Sequence, residues 1–405
     1  REVLLKILEI GSRWGFSCRS FEDKCGVIQY GTGTKTIGIW GHLDVVPEGT
    51  GWLYPPFSCS REGDILIGRG VQDNKGPVVA CMYAMGYLKE KGMVPRVTFL
   101  QILGCREEVD MEDVVSYLNE NPAPDMSFVT DCAFPVCYGE KGICRVEFAS
   151  EKLEGNMILS GGNAVNSIPA YAKAELRLLG GRKKEIWAEG ISGHAAFPQG
   201  AQNALGILAE KIYSEDKNLS VLSEKERAVL EFLDKACADG FGRELNIDCA
   251  DEFSGVLTAS GTVVRMEEER AVLDMDIRYP ITAKAEKILE QLGRTAGEYG
   301  FSIRSFKDDP PSYVDKNTPF VTCLTNAYEE IVKDGKKPYV MGGGTYARKI
   351  PNAVGFGPGL QSDWEKAGLP KGHGSCHSAD EAQSLSSLKT AVRIYVKALQ
   401  NLNEL

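Results

Sequence analysis

Residues 36–47 read Thr36-Ile37-Gly38-Ile39-Trp40-Gly41-His42-Leu43-Asp44-Val45-Val46-Pro47, a short apolar run followed by a histidine and an aspartate. The run from Thr36 to Trp40 predicts a buried strand. Ligands of open α/β sheets bind where strands end in loops, so His42 and Asp44 occupy a position typical of a site. Two residues apart on an extended segment, they point the same way, and one could bind a metal while the other orients it. A polar loop without any such role would explain this pair equally well.

The sequence around this segment has the pattern of an α/β fold. Between Lys35 and Pro135, short apolar runs alternate with helical stretches, which favours a largely parallel sheet with crossover helices. The predicted elements are strands over 36–40, 96–103 and 126–130 and helices over 76–91 and 111–119. From Thr318 onward the same pattern returns, and it ends in a helix predicted over Glu381–Leu402.

The middle of the chain has a different pattern. Segments 144–149, 172–179 and 184–191 and a hairpin over 255–279 alternate like half-exposed antiparallel strands, with helices predicted over 203–213, 223–238 and 283–299. We therefore predict an α/β domain with a mixed, mostly parallel sheet flanked by helices, formed by residues 1–138 and 312–405. An α+β domain, residues 139–311, interrupts it. A length of 405 residues also favours two domains, because a single core rarely grows so large.

The composition is that of a globular protein, with 43% hydrophobic and 25% charged residues. A formal charge of -10 without a basic stripe argues against nucleic acid as a partner. No apolar run reaches the roughly 18 residues of a membrane span, and no leader pattern is seen, so we expect no membrane association. Twelve cysteines are scattered without a CxxC pair, and Cys81, Cys105 and Cys132 lie in apolar segments. This pattern predicts reduced, buried thiols and a cytoplasmic location.

A second motif is a glycine-bracketed turn, Gly68-Arg69-Gly70-Val71-Gln72-Asp73-Asn74-Lys75-Gly76-Pro77. It places Asp73 just before a predicted helix. An N-capping aspartate would account for this position. A carboxylate on such a turn is also suited to bridge two cations.

Two further acidic positions follow predicted strands. Glu107 and Glu108 come after the strand that ends at Leu103, and Asp131 comes after the next one. Paired glutamates on a surface are usually solvated. At the end of a strand, however, one can bind a metal while its neighbour acts as a general base.

The four histidines are His42, His194, His373 and His377. His377 lies in the segment 376–381 that is predicted to open the last helix. Together with His42, it adds two imidazoles to the three carboxylates of Asp73, Glu108 and Asp131. Such nitrogen and oxygen ligands suit zinc, with manganese or cobalt possible.

The set of motifs resembles the co-catalytic zinc peptidase family that includes glutamate carboxypeptidase, aminoacylase, succinyl-diaminopimelate desuccinylase and carnosinase-type dipeptidases. Five motifs carry the resemblance over essentially the whole chain: His-x-Asp, Gly-Arg-Gly-x-x-Asp-x-Lys-Gly, Glu-Glu, a lone Asp and a late His-x-x-Asp-Glu. The resemblance implies a catalytic α/β domain that carries an inserted lid domain.

The resemblance also implies roles for residues of the catalytic domain. His42 and Asp131 would bind one zinc ion, Glu108 and His377 the other, and Asp73 would bridge the two. Asp44 would orient His42, and Glu107 would be the general base that deprotonates a metal-bridging water. The chain departs from the family at Cys105 and Arg106, where the family has a small residue and an acid. Arg106 could lower the basicity of Glu107 or point away from it.

In the inserted domain, the resemblance assigns His194 as the lid histidine that stabilises the oxyanion, although a histidine satisfied in a loop is the alternative. Arg278 would grip the substrate carboxylate, a task that suits the guanidinium fork. Asn166 would help to bind the intermediate. Gly344 and Thr345 would line the other side with backbone N–H groups and a hydroxyl.

Segments 254–258, 278–280 and 342–348 most resemble the PepV-type bacterial dipeptidases. This implies hydrolysis of dipeptides with a free C-terminal carboxylate, by a monomer in which His194 acts in its own chain. The nearest alternative is an N-acyl-amino-acid or succinyl-diaminopimelate deacylase. A phosphate- or nucleotide-binding protein would have to use the glycines at 31–34 or 342–345, which lack the spacing and lysine of a phosphate loop. The intact Glu107 and ligand set argue against an inactive binding module.

Overall fold

The computed structural model describes residues 1–22, 24–219, 221–359, 364–366 and 368–405. The chain divides into two compact units. The first unit comprises residues 1–139, 313–340 and 344–405, and the second comprises residues 140–312 and 341–343. Among the helices described over these ranges, none has both the length and the apolar character needed to cross a bilayer.

The first unit is built on a mixed sheet with flanking helices. Its helices are α1 (Glu2–Arg13), α2 (Lys75–Glu90), α3 (Glu112–Glu120), α7 (Pro319–Val332) and α8 (Leu385–Leu402). Its strands are β1 (Ser17–Phe21), β2 (Cys25–Tyr30), β3 (Thr36–His42), β4 (Ser60–Glu62), β5 (Ile65–Ile67), β6 (Thr98–Gly104), β7 (Met126–Val129), β8 (Cys137–Glu140), β20 (Ser312–Tyr313), β21 (Tyr339–Met341), β22 (Ala353–Gly355) and β23 (Ala382–Ser384).

The order of strands in the large sheet is β1-β2-β6-β3-β7-β22-β8-β20, and β21 pairs with β8. The central strands β6, β3, β7 and β22 are parallel to one another. Strand β3 is buried on both faces, as its apolar run predicts, because α2 and its neighbours cover the sheet. A smaller sheet has the order β23-β5-β4.

The second unit is built on an antiparallel sheet that packs against helices. Its helices are α4 (Ala204–Leu219), α5 (Glu224–Cys237) and α6 (Ala285–Glu298). Its strands are β9 (Gly142–Ser150), β10 (Met157–Gly161), β11 (Ser167–Ile168), β12 (Tyr171–Arg177), β13 (Lys183–Glu189), β14 (Gly193–His194), β15 (Ala250–Asp251), β16 (Gly255–Val256), β17 (Thr258–Glu267), β18 (Arg270–Tyr279) and β19 (Phe301–Asp309). Seven of them form a sheet in the order β13-β12-β10-β17-β18-β9-β19. One apolar core fills this unit, and helix α5 begins at a capping box formed by Ser223 and Glu226.

The predicted mixed α/β fold is confirmed, and most predicted elements lie within a few residues of their observed bounds. The predicted start of the last helix is wrong. Residues Ala382–Ser384 form strand β23, which pairs with β5, and α8 begins only at Leu385, where the Ser384 hydroxyl caps the amide of Ser387. The prediction of buried thiols is confirmed for Cys81, but Cys105 and Cys132 are only partly buried, and Cys59 and Cys376 are exposed. No disulfide joins any of the twelve cysteines, all of which lie within the described ranges.

Candidate metal centre

Three neighbouring strands of the first unit end at one place. Strand β3 lies between β6 and β7 and is parallel to both. Their carboxyl ends lead into His42, into the pair Glu107 and Glu108, and into Asp131. Parallel strands finish at the same edge of a sheet, so residues far apart in sequence meet there.

The His42 imidazole lies among carboxylates at this edge. Its Nε2 is 2.7 Å from Asp73 Oδ1 and 3.6 Å from Asp131 Oδ2. Its Nδ1 is 3.1 Å from the backbone oxygen of Asp44 and 3.4 Å from the Asp44 carboxylate. An Nδ1–H donated to Asp44 leaves Nε2 as the nitrogen available to a metal, directed at Asp73 and Asp131.

The second imidazole approaches from the other side of Asp73. His377 Nε2 lies 3.1 Å from Asp73 Oδ2 and 3.2 Å from Glu108 Oε1. Asp73 therefore contacts one histidine with each carboxylate oxygen. Asp73 does not cap helix α2, because the N-cap residue is Asn74 and no side-chain cap bond is formed. His377 lies in a turn before β23 and does not open the last helix as predicted.

These residues fit a pair of divalent cations. Two groups of three side chains have ligand atoms within 4.8 Å of one another and share Asp73: His42, Asp73 and Asp131, and Asp73, Glu108 and His377. In a tetrahedral site with bonds of about 2.0 Å, ligand atoms are about 3.3 Å apart. The contacts described above, 2.7 to 3.6 Å, lie around that spacing. Imidazole nitrogens with carboxylate oxygens suit zinc, manganese or cobalt.

The neighbouring charges at this edge shift the pKa values of its histidines and acids. Hydrogen bonds to Asp73 and Glu108 outweigh burial and raise the pKa of His377 to about 10. Burial opposes protonation of His42, but its bonds to Asp131, Asp44 and Asp73 outweigh that effect and raise its pKa well above the usual value. Burial and the charge of Asp73 raise the pKa of Asp131 to about 6. Excess negative charge at this edge favours any cation, a proton included.

Glu107 belongs to a third group with His42 and Glu108, whose ligand atoms also lie within 4.8 Å of one another. Burial and the neighbouring charge of Asp131 raise the pKa of Glu107 well above its usual value. A carboxylate with a raised pKa accepts a proton more readily, as a general base requires. Arg106 turns to Asp110, whose carboxylate accepts a hydrogen bond from its Nε at 2.9 Å.

The loop that bears the two glutamates is fixed by two acids, the partly buried Asp44 and the buried Asp113. The Asp44 carboxylate accepts from the backbone amides of Glu107 at 3.2 Å and Glu108 at 3.1 Å. The sequence did not indicate the second acid, Asp113, which accepts from the amides of Cys105 and Arg106 at 2.6 and 2.8 Å and from the hydroxyl of Tyr346 at 2.6 Å. A side chain at Gly104 would collide with that hydroxyl, since a Cβ there would lie 2.0 Å from it. The acidic first turn of α3 was the available signal for Asp113.

Two predicted site residues lie side by side in the second unit. His194 ends β14, which pairs with β11, and the amide of the next residue, Ala195, donates to the Asn166 carbonyl at 2.9 Å. The His194 Nδ1 accepts a hydrogen bond from the Ala196 amide at 3.0 Å. An accepting Nδ1 puts the proton of the neutral ring on Nε2, so this exposed imidazole is set up as a donor.

Arg278 is only 3% exposed and lies in strand β18. Its Nε and Nη2 donate to the Asp276 carboxylate, and its Nη1 donates to the carbonyl of Gly342 at 3.0 Å. The guanidinium is therefore held in one orientation by its own unit.

Thr345 and Gly344 have local structural partners in the first unit. The Thr345 hydroxyl accepts from the Ala347 amide at 3.1 Å and caps a short 3₁₀ helix, Tyr346–Lys349. A Cβ at Gly344 would lie 2.6 Å from Arg348 Nε. Glycine at this position leaves room for the arginine side chain.

Comparison with known proteins shows which family this chain matches. A model of peptidase family M20/M25/M40 matches residues 38–401, a range that contains the five ligand candidates. Putative dipeptidase YtjP of Bacillus subtilis (strain 168) is 31% identical over 435 residues, which cover 98% of this chain and 90% of the relative. Two solved structures share the fold. Aminoacylhistidine dipeptidase from Vibrio alginolyticus has a TM-score of 0.59 at 16% identity, over 99% of this chain and 92% of that one. Human carnosine dipeptidase 1 has a TM-score of 0.58 at 15% identity, over 100% of this chain and 90% of that one.

Proposed function

The chain belongs to peptidase family M20/M25/M40 and is a peptide-bond hydrolase, and from this premise we propose that it is a dizinc dipeptidase. Its substrates would be dipeptides with a free C-terminal carboxylate. The observation that carries the proposal is that Asp73 offers one carboxylate oxygen to each of two histidines, with Glu107 close by. The name of the Bacillus subtilis relative supports the substrate class.

In this proposal His42 and Asp131 would hold one cation, Glu108 and His377 would hold the other, and Asp73 would contribute to both. Two cations held there would supply positive charge that acidifies water and polarises the scissile carbonyl. Asp44 positions His42 through Nδ1 and also fixes the backbone that presents Glu108.

Glu107 transfers a proton from the attacking water to the leaving amine. Its carboxylate takes a proton from the attacking water, whose oxygen forms the new bond to the carbonyl carbon. As the carbon–nitrogen bond breaks, Glu107 gives that proton to the leaving amine nitrogen, so one peptide and one water become two amino acids. The raised pKa of Glu107 supports both halves of this transfer, because the group must bind the proton and then release it.

We propose that residues of the second unit recognise the substrate. His194 would donate its Nε2 proton to the developing oxyanion, supported by the backbone bond at Nδ1 that fixes the tautomer. Asn166, adjacent to it, would assist. Arg278 would pair with the substrate carboxylate, and its anchoring by Asp276 supports a preset orientation of the fork. Gly344 and Thr345 would contribute backbone N–H groups, and Thr345 would also contribute its hydroxyl.

We further propose that the chain acts as a monomer in the cytoplasm. The absence of disulfides among its twelve cysteines supports a reducing compartment.

The test is a substrate screen on chelator-treated protein reloaded with zinc, manganese or cobalt. Free dipeptides, N-acetylated dipeptides, dipeptide amides and N-acyl amino acids would be compared at equal concentration. We expect turnover of free dipeptides that depends on added metal and on both termini. Faster hydrolysis of N-acyl amino acids would instead identify a deacylase. Turnover that survives complete removal of metal would overturn the proposal.

A further inference from the structure

Glu381 is a buried acid that neither the sequence motifs nor the proposed chemistry assigns a role. Its side chain is 0% exposed and lies just before strand β23. One oxygen, Oε1, accepts three backbone hydrogen bonds, from the amides of Gly70 at 3.0 Å, Gln72 at 2.9 Å and Asp73 at 3.0 Å. The carboxylate thus holds the turn that presents Asp73, and it holds the amide of Asp73 itself.

The other oxygen of Glu381 meets a buried arginine. Arg69 Nη1 donates to Oε2 at 2.8 Å, and the arginine is 4% exposed. Arg69 Nη2 donates to the carbonyl of Glu48 at 3.1 Å, and its guanidinium lies 5.1 Å from the ring centroid of Trp52. The pair therefore connects the loop that follows His42 to the turn before Asp73.

The same short segment is tied down next to Glu381. The carboxylate of Asp380, also fully buried, accepts from the amides of Leu53 and Tyr54 at 2.9 and 3.0 Å. Its other oxygen lies 2.6 Å from Nδ1 of His373. The segment that carries His377 is thereby fixed to the loop that follows His42.

Three chain segments meet at the buried ion pair of Arg69 and Glu381. Each segment also carries a residue of the metal centre. They are the loop after His42, the turn before Asp73 and the segment after His377. Arg69 and Glu381 themselves are not among the side chains whose ligand atoms cluster there. With four donors on its two oxygens, Glu381 is already engaged and acts as an acceptor of protein hydrogen bonds.

We propose that Arg69 and Glu381 are positioning residues that hold Asp73 so that its two carboxylate oxygens face His42 and His377 at once. This rests on the proposed function, in which Asp73 serves both cations. A displacement of the Gly70–Asp73 turn would spoil both contacts together, because the two oxygens belong to one rigid carboxylate. Partners that orient a ligand commonly change metal affinity by tenfold to a hundredfold when they are lost.

A purely structural role would have a different consequence. Loss of one partner from a buried ion pair destabilises a protein wherever the pair lies. Glu226 offers a comparison as a buried acid that holds backbone amides: it is 0% exposed and accepts from the amides of Asn156 at 2.7 Å and Ser223 at 3.0 Å in the second unit. Replacement of either acid should lower stability, but only replacement of Glu381 should also weaken metal binding.

The experiment titrates Co²⁺ alone into the chelator-treated full chain and follows both affinity and the visible absorption bands. For Glu381→Gln we expect at least about a tenfold loss of Co²⁺ affinity and altered bands. For Glu226→Gln we expect a lower melting temperature with the Co²⁺ affinity and bands of the parent chain. Parent-like affinity and bands in a folded Glu381→Gln chain would overturn the inference.

Two further outcomes are decided in the same titration. A parent chain that binds fewer than two Co²⁺ ions would contradict the proposed function and not the positioning role. If Glu381→Gln fails to fold, Arg69→Lys replaces it, because lysine keeps the charge and loses the fork. Parent-like Co²⁺ affinity in Arg69→Lys would then overturn the inference, and at least a severalfold loss would support it.

Discussion

The carboxylate of Asp44, in the loop after β3, accepts a hydrogen bond at 3.1 Å from the backbone amide of Glu108, in the loop after the neighbouring strand β6. The same carboxylate accepts from Glu107 and lies beside Nδ1 of His42. Asp44 therefore connects His42, a proposed ligand, to the loop that carries Glu107, the proposed general base. Its pKa is lowered, because the bonds to His42 and to the two amides outweigh burial.

Replacement of Asp44 by alanine should reduce turnover and cation affinity together, each by about tenfold to a hundredfold, since both depend on this carboxylate. Steady-state kinetics and a metal titration on the same sample measure the two effects. Asp125→Ala is the matched control, because Asp125 accepts from the Thr36 amide at 2.7 Å at the other end of strand β3. A variant at Asp44 that lost turnover and kept full metal affinity would contradict this dual role.

Replacement of Glu107 by glutamine should reduce turnover without reducing metal binding. The change removes the proton acceptor and none of the five proposed ligands, so turnover should fall by about a hundredfold or more. Metal content, measured by elemental analysis, should stay at the parent level. Equal loss of metal and of turnover would show that Glu107 acts as a ligand and not as a base.

The sequence was most informative where a local pattern of apolar residues showed where a strand ends and which residue follows it. His42 and Asp131 follow apolar strands, and parallel strands end at one edge, so their approach could be predicted before any coordinates. The pattern also indicated the inserted antiparallel unit, because alternation of period two differs visibly from the buried strands around it.

The sequence was least informative where a buried charge depends on a distant partner. Glu381 and Arg69 are 312 positions apart, and nothing local shows that an acidic residue is fully buried. The sequence pattern predicted that the last helix begins at Glu381. Residues Ala382–Ser384 instead pair with β5 as a strand, and this pairing replaces the first turn of the predicted helix. The misplaced helix start also concealed the role of Glu381.

Replacement of Arg278 by lysine should raise KM for dipeptides with a free carboxylate and change kcat little, because lysine keeps the charge but loses the bidentate fork. The preference for free over amidated dipeptides should shrink accordingly. Kinetics on matched acid and amide substrates provide the measurement. An unchanged preference would remove Arg278 from substrate recognition and leave it as the partner of Asp276.

Metal affinity should increase with pH. With no cation bound, the pKa of His377 is about 10, so this imidazole is protonated at neutral pH, and a cation must displace the proton. Each proton displaced makes the apparent affinity rise by up to about tenfold per pH unit below that pKa. Titrations with Co²⁺ between pH 6 and 8 should show this rise, and His377→Ala should have a shallower slope. Affinity that does not depend on pH would contradict proton displacement at this site.

A mixing experiment tests the proposal that each chain supplies its own His194 to its site. His194→Ala should lose about a hundredfold in turnover while it keeps its metal, because an oxyanion donor is removed and no ligand is touched. The Nδ1 of His194 accepts from the Ala196 amide of the same chain, which fixes the tautomer of the ring, and the proposed monomer would use this ring in its own site. We therefore expect that a mixture of His194→Ala with His377→Ala chains remains inactive at any ratio. Activity restored to a substantial fraction of the parent level would show that one copy completes the site of another, and the proposed monomer would have to be replaced by an assembly that exchanges His194.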